Sequence, residues 1–364
     1  MKVAFRTDAS LVIGTGHVMR CLTLADALGV RGVQSVFLCR DHVGNMHQVI
    51  RERGYPLMSL GGVTPRHPTT AETTYAKWLG EDTQRDADDT RTWLSGHAVD
   101  WLVVDHYGID ASWEQALRST CGRIMVVDDL ANRDHAADVL LDQNLGKTSE
   151  NYATHVSASC ELLLGPNYAL LRPEFAYLKA KSLLRRNQGL LRRLLITMGG
   201  VDLDNATGAV LEALHTWSPS ANLEVTVVMG LNAPWREQII EQARQLPFPT
   251  EVLVNAPSMA DLMCDADLVI GAAGSTAWER CCLGLPTLQL VLADNQSSIA
   301  NALANAGAAF LLERTDLSAR LGDVMERLMQ DPALLLGMSK AASILVDGMG
   351  TDRVASYLNE GVWV

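Results

Sequence analysis

No uninterrupted apolar run in this 364-residue chain approaches the roughly 20 residues of a membrane-spanning helix. The start, Met1-Lys-Val-Ala-Phe, runs directly into a strand-like segment, without a leader's apolar stretch and cleavage site. Both absences lead to the expectation of a cytoplasmic chain with no membrane partner. Cysteine is sparse and unpaired in pattern. The seven residues are an odd number, no C-x-x-C spacing occurs, and Cys281 and Cys282 are adjacent on an expected helix. Buried free thiols in a reducing compartment are the plain reading. Positive charge is also short, with 30 Lys and Arg against 42 Asp and Glu and a net charge of −12. That balance argues against a general nucleic-acid binder, whose affinity needs a basic surface. It leaves room for a small anionic ligand held locally by helix N-termini and a few arginines.

What is present is an ordinary globular composition, 48% hydrophobic and 20% charged, long enough for two domains with their own cores. Strand-like runs at Val3–Arg6, Gln34–Cys39, Trp101–Asp105, Ile124–Asp128, Val139–Asp142 and Glu161–Gly165 alternate with helical patterns, among them His17–Arg31 and Asp82–Ser95. Gly61 to Thr74 reads as a loop, and the basic, weakly patterned stretch between Phe175 and Arg193 as an interdomain linker, a solvated connection rather than a binding site. The alternation then restarts at Leu194–Met198 and continues through Leu223–Met229, Thr250–Leu253, Leu268–Ile270, Thr287–Val291 and Ala309–Leu312. The expected fold is α/β: two Rossmann-like, doubly wound domains facing a cleft. We place the first domain at 1–180, a linker at 181–193, the second domain at 194–345, and a C-terminal helix at 346–364 that either crosses back to the first domain or does not.

Two glycine stretches organise the chain. The first is Arg6-Thr-Asp-Ala-Ser-Leu-Val-Ile-Gly-Thr-Gly-His-Val-Met-Arg20, a strand, a loop bearing Gly14 and Gly16, and a helix start at His17. A helix N-terminus attracts anions and disfavours imidazolium, so His17 is expected to be neutral and able to accept a proton. The second is Leu268-Val-Ile-Gly-Ala-Ala-Gly-Ser-Thr-Ala-Trp-Glu-Arg280, again strand, glycine turn and helix. Gly274, Ser275 and Thr276 offer N–H and hydroxyl donors to a phosphate, and Glu279 could take both hydroxyls of a ribose. Thr276-x-x-Glu279 is equally a capping box, which would explain both residues without a ligand. Neither stretch is a Walker loop or a full G-x-G-x-x-G fingerprint, because Met19 stands at the third position.

Other strand ends carry polar residues with two readings each. Gly199-Gly200 is either a turn or an amide donor to the same diphosphate. Ser258-Met259 is either a helix cap or a backbone contact to a nucleobase. Asp105-His106-Tyr107 and Asp128-Asp129 are turn caps, sugar-pocket lining with Tyr107 over the ring, or metal ligands; ligand spacing such as H-x-x-x-H is missing. Arg6, Asp8 and Arg20 either pair with one another or point to a ligand beside His17. Asn295 and Gln296 are amides suited to acetamido or hydroxyl groups, or else cap a helix. No Ser or Cys partner of His17 is evident, which argues against a covalent triad.

Taken together, Arg6-x-Asp8, Ile13-Gly-x-Gly-His17-x-x-Arg20-Cys21, Asp105-His-Tyr, Val127-Asp-Asp-Leu130, Leu141-Asp-Gln-Asn144, Tyr168-Ala-Leu-Leu-Arg-Pro-x-Phe175, Ile270-Gly-Ala-Ala-Gly-Ser-Thr-x-Trp-Glu-Arg280 and Ala293-x-Asn-Gln296 resemble the PseG family of pseudaminic acid biosynthesis. The second glycine element is shared more widely, with glycosyltransferases such as MurG. The resemblance implies a GT-B fold. It also implies hydrolysis of UDP-2,4-diacetamido-2,4,6-trideoxy-β-L-altropyranose to UDP and the free sugar, with inversion and without metal or other cofactor. It gives His17 the role of base for the attacking water, Gly274, Ser275 and Thr276 the diphosphate, and Glu279 the ribose. By their strand-end positions, Gly199, Gly200, Ser258 and Met259 are further candidate UDP contacts. Arg6, Asp8, Gly16, Arg20, Tyr107, Asn295 and Gln296 fall on the sugar side. A glycosyltransferase and a non-catalytic nucleotide-sugar binding protein are the alternatives.

Overall fold

The computed structural model describes residues 1–63, 75–217, 222–231 and 233–360. The chain forms two compact units, Met1–Leu170 with Met349–Val364, and Leu171–Gly348.

The first unit holds a seven-stranded sheet: β1 (Lys2–Thr7), β2 (Gln34–Asp41), β3 (Leu57–Gly62), β4 (Trp101–Asp105), β5 (Arg123–Val127), β6 (Val139–Asp142) and β7 (Glu161–Leu164). Its order is β3-β2-β1-β4-β5-β6-β7 and every pairing is parallel. A parallel sheet is covered on both faces, and β1 shows why its sequence is apolar almost throughout. Val3 and Phe5 enter one core with Leu22, Leu24 and Val354, while Ala4 enters the opposite core with Leu38, Leu102 and Trp113. The helix Gly16–Val30 follows β1 and lies on the Phe5 face. The chain's last helix, Gly350–Glu360, joins the same layer: Trp101 Nε1 donates to the Leu358 carbonyl at 3.0 Å, and Arg31 pairs with Asp352 at 3.0 Å.

The second unit repeats the architecture with six strands: β8 (Arg193–Thr197), β9 (Glu224–Met229), β10 (Thr250–Val254), β11 (Leu268–Ala272), β12 (Thr287–Leu290) and β13 (Ala309–Leu312). Their order is β10-β9-β8-β11-β12-β13, again all parallel. Leu194, Ile196, Val227, Ile270 and Leu288 share a core with Val210, Leu211, Leu321 and Met325 from the covering helices.

The break between units falls at Leu170–Leu171, ahead of the 181–193 stretch expected to link them. The basic residues there belong to the second unit. The helix Pro173–Arg185 carries Lys181 and Arg185, and Arg186 is buried just beyond its end, donating to carbonyls of Cys264, Ala266 and Leu283. The strand β3 stands where the sequence suggested none, and of the expected Gly61–Thr74 loop residues 64–74 lie outside the described residues. Residues Pro332–Glu360 have the length and hydropathy of a membrane span. They form two helices, broken at extended Val346, and their apolar side chains Leu335, Met338, Val354 and Leu358 lie in the two cores. All seven cysteines are free thiols, Cys121 and Cys160 half-buried and the rest buried.

Candidate functional site

In both units the polar residues of interest follow the carboxyl ends of the strands, where open parallel sheets bind ligands. In the first unit the register pairs Thr7 with Asp105, so the ends of β1 and β4 lie side by side. Gly14, at φ +79°, turns the loop after β1, and the Ser10 hydroxyl accepts from the N–H groups of Val12 and Ile13. This delivers half-buried Gly16 and then His17 as the first two residues of the helix Gly16–Val30.

There His17 meets Asp105. Its Nδ1 lies 2.6 Å from Asp105 Oδ1. Arg20, one turn along the helix, clamps the same carboxylate with Nε and Nη2, both at 2.6 Å, and reaches Asp129 at 3.1 Å. Burial works against an ionised Asp105, but the charges of Arg20 and then His17 outweigh it and hold the carboxyl well below the usual carboxylate range. An ionised carboxylate only accepts, so His17 Nδ1 carries a proton, and in the neutral imidazole the lone pair lies on Nε2. Arg20 Nη2, 3.3 Å from Nδ1, then faces a donor, and the shorter contact to Asp105 decides the tautomer. The imidazole is further fixed edge-on to Tyr107, with centroids 4.7 Å apart, and to Trp78 at 6.3 Å. Trp78 stacks on Tyr107 at 5.5 Å, and Tyr75 meets both rings edge-on. The Tyr107 hydroxyl donates to Asp129. The result is an oriented Asp–His pair beside an aromatic wall.

Of the residues expected on the sugar side, Arg20 and Tyr107 converge on the expected base His17, but they are 6% and 4% exposed and lie behind the imidazole. Arg6 and Asp8 are corrections. Both are fully buried, so neither reaches a ligand from solvent. Arg6 pairs with Asp8 at 2.7 Å and with Asp86 at 2.8 Å, and Asp8 accepts the Arg40 N–H at 2.7 Å. The pairing alternative is the one the structure adopts. Asp105, Asp129, Tyr75 and Trp78 were not singled out as partners of His17. Only the position of Asp105 at a strand end pointed to it, since 88 residues separate it from His17.

In the second unit, β11 ends at Ala272 and the helix Thr276–Cys282 begins after Gly274 and Ser275. The N–H groups of Gly274, Ser275 and Thr276 have no intrahelical acceptor, the first such bond being Ala277 N–H to Gly274 at 2.9 Å. Gln296 accepts the Leu292 N–H at 3.0 Å, and its Nε2 lies 3.7 Å from where a Cβ on Gly274 would stand. Asn295 precedes it, half-buried, on the turn Asp294–Gln296. Both amides thus belong to the second unit. The capping box is not formed. Ser275 is the cap residue and makes no side-chain cap bond, while Glu279 turns to Arg172 at 3.3 Å. Burial raises the Glu279 carboxyl above the ordinary glutamate value, with Arg172 opposing the rise. Gly199, at φ +92°, and Gly200 form an exposed turn after β8; Gly200 packs so closely on Gly230 that a Cβ there would fall 1.9 Å from the Gly200 oxygen. Ser258 caps the helix Met259–Asp265 by accepting the Asp261 N–H at 3.2 Å, the plainer of its two readings, and Met259 is half-buried at the helix start.

Among the described residues no three His, Cys, Asp or Glu side chains come together as a metal-holding group. A concavity of about 660 Å³ opens beside Lys2, Gln34 and Leu57. It lies at the amino ends of β1, β2 and β3, with apolar neighbours, at the opposite end of the strands from His17.

Comparison with known proteins extends this picture. Residues 193–351 match the Glycosyltransferase family 28 C-terminal domain. The chain is 29% identical, over 99% of its length and 98% of the relative's, to the spore coat polysaccharide biosynthesis protein SpsG of Bacillus subtilis. It is 27% identical, over 84% of its length and 97% of the relative's, to the UDP-2,4-diacetamido-2,4,6-trideoxy-beta-L-altropyranose hydrolase of Campylobacter jejuni, in line with the resemblance read from the motifs. Uncharacterized protein MJ1062 of Methanocaldococcus jannaschii is 25% identical over 80% of this chain, which spans only 55% of that protein. Among solved structures, MurG of Acinetobacter baumannii aligns over 99% of both chains with a TM-score of 0.69 at 17% identity. The fold is of the GT-B type.

Proposed function

We propose that this chain is an enzyme that hydrolyses a UDP-sugar, and that the sugar is 2,4-diacetamido-2,4,6-trideoxy-β-L-altropyranose. The observation that carries the reading is the His17–Asp105 pair, which leaves a lone pair on an imidazole held by a charged clamp. In this reading water attacks the anomeric carbon and gives a proton to His17 Nε2. The bond from that carbon to the diphosphate oxygen breaks, UDP leaves with the electron pair, and the configuration inverts. Asp105 stabilises the imidazolium that forms. Arg20 and Tyr107 position the pair, while Gly16, Asn295 and Gln296 contact the sugar. Gly274, Ser275 and Thr276, with Gly199 and Gly200, take the diphosphate and stabilise its developing charge. Glu279 takes the ribose, and Ser258 and Met259 the base. The first unit supplies the base and the second the nucleotide site, in a cytoplasmic enzyme without a resident metal. The named hydrolase of C. jejuni supports the reaction, and its alignment over 84% of this chain and 97% of its own supports the carry-over of residues.

The test is incubation with UDP-2,4-diacetamido-2,4,6-trideoxy-β-L-altropyranose, with and without chelator, followed by NMR of the released sugar. Free sugar and UDP should appear at equal rates in both, and His17→Ala should lose on the order of 10²–10⁴-fold in turnover while keeping its nucleotide affinity. Near-normal turnover in that variant overturns the base assignment, and loss with chelator overturns the metal-free mechanism. The match at 193–351 to a glycosyltransferase domain favours a second reading, transfer to an acceptor hydroxyl. Product formation only when an acceptor is added would establish it. Binding of UDP-sugars with no turnover of any would leave a binding protein.

A further inference from the structure

Six arginines are buried among the described residues. Four of them face carboxylates: Arg6 and Arg40 on Asp86, Arg20 on Asp105, Arg133 on Asp128. Arg186 has no such partner within bonding distance, but its guanidinium donates to the carbonyls of Ser182, Met263, Cys264, Ala266 and Leu283. Arg280 is different. It is 1% exposed, donates through Nη2 to the Ala272 carbonyl at 2.8 Å and through Nη1 to Thr276 Oγ1 at 3.2 Å, and its Nε has no partner. No carboxylate among the described residues forms an ion pair with it. A buried cation without an ion-pair partner is costly, and burial draws this guanidinium down to about 10 against the opposing charges of Cys281 and Glu279.

The surroundings are shaped to hold that charge. Its Nη1 lies 3.0 Å from where a Cβ on Gly271 would stand, so the guanidinium lies directly on β11 at a glycine. The bond to Thr276 has a directional consequence. Oγ1 accepts from Arg280, so the single hydroxyl proton is left to donate elsewhere. Beside it are the N–H groups of Gly274, Ser275 and Thr276, none with an intrahelical acceptor. All of these outward groups are donors, and the charge beneath them is positive. An anion with several acceptor oxygens satisfies the whole set, and a neutral ligand does not.

We propose that Arg280 is a positioning residue for a phosphate group: a buried cation that fixes the Thr276 hydroxyl as a donor and supplies the charge that a nucleoside diphosphate neutralises. The identity of the nucleotide rests on the reading above; the anion does not.

The full-length chain is titrated by calorimetry with UDP, with inorganic pyrophosphate and with uridine as competitor. Arg280→Met should weaken UDP at least about tenfold and pyrophosphate comparably, leave uridine unchanged, and not lower the melting temperature of the unliganded protein. Thr276→Val should weaken UDP as well, and the double variant should lose less than the product of the two single losses, because the two groups act as one. If Arg280→Met does not fold, Arg280→Lys, which keeps the charge on a shorter donor, and Thr276→Val supply the same cycle. UDP affinity within twofold of wild type in the Arg280 variants, equal weakening of UDP and uridine, or strictly multiplicative losses with Thr276→Val each overturn the proposal. Wild-type protein that binds pyrophosphate without preferring UDP overturns the nucleotide reading and leaves Arg280 as an anion residue. Wild-type protein that binds neither overturns both.

Discussion

The first unit completes its charges internally, and the second does not. Around His17, each cation has its anion already: Arg20 holds Asp105 and Asp129, Arg6 holds Asp8 and Asp86, and Arg133 holds Asp128. At the end of β11, Arg280 and the donors of Gly274, Ser275 and Thr276 have fewer acceptors than they have protons. A catalytic base needs one tautomer and one orientation before substrate arrives, and a closed network supplies both. An anion site works the other way, because its donors must be left for the ligand. The same fold, used twice, therefore carries opposite electrostatic designs at the carboxyl ends of its strands.

The sharpest way to break this comparison is at the base. Asp105→Asn keeps the shape of the clamp but removes the charge that fixes the His17 tautomer and stabilises imidazolium. Turnover should fall on the order of 10²–10⁴-fold with UDP affinity within twofold of wild type. A variant with normal turnover and a normal pH profile would mean that the carboxylate is only scaffolding.

The next largest effect concerns stability, and it pits two buried arginines against each other. Arg20→Met leaves Asp105 and Asp129 without their cation and should cost about 3–5 kcal/mol in urea unfolding at neutral pH. Arg280→Met strands no carboxylate and should be neutral or stabilising. Equal losses in the two variants would erase the distinction between a closed and an open network.

How much of this was legible in the sequence follows from which contacts are local. The strands β1, β4, β6 and β11 announce themselves because both faces are buried and the apolar run is continuous. The strand β3 does not: Leu57 to Gly62 is an edge, largely exposed, and ends in two glycines that read as a turn. The helix Pro173–Arg185 reads as linker in the sequence because its lysines and arginines mask a narrow buried stripe of Phe175, Leu178 and Ser182. At the site, His17 and the Gly274–Thr276 loop were evident from local motifs. Asp105 was visible only as a strand end, since what makes it the partner of His17 is the parallel register of β1 and β4. Charge near a glycine loop makes Arg6 and Asp8 look like sugar contacts, while Asp86, which pairs with Arg6, lies 80 residues away.

A smaller effect tests a buried carboxylate of the first unit that has no arginine beside it. Asp142 is fully buried and accepts from the Tyr152 hydroxyl at 2.8 Å; burial, and then the charge of Asp129, push its carboxyl up to about 7. Its folded value lies above its unfolded one, so its contribution to stability is complete below about pH 4 and is lost as pH rises to about 7. Asp8, Asp105 and Asp128 have the opposite sign. Each is held below the ordinary range despite burial, so their contribution is present above about pH 4 and lost as pH falls further. Asp142→Asn should therefore raise stability by about 1–3 kcal/mol at pH 8 and leave it unchanged at pH 4, measured by urea unfolding at the two values. A pH-independent change would show that Asp142 is ionised like its neighbours.

The smallest expected effect on stability is at Glu279, and it bears on what the second unit holds open. In a capping box this carboxylate would satisfy the backbone at the start of its helix, and removing its charge would loosen the helix. Instead it lies across from Arg172 at 3.3 Å, half-buried, with its carboxyl raised by burial. Glu279→Gln keeps the shape and one acceptor oxygen, and exchanges a partly screened ion pair for a neutral contact. Its stability should stay within about 0.5 kcal/mol of wild type. A ribose bound through its two hydroxyls gives two hydrogen bonds to a carboxylate but only one to an amide oxygen. UDP affinity should therefore fall several-fold, while pyrophosphate, which has no ribose, should bind as before. Loss of pyrophosphate binding would place Glu279 in the anion site with Arg280, and loss of stability with full UDP affinity would return it to the helix.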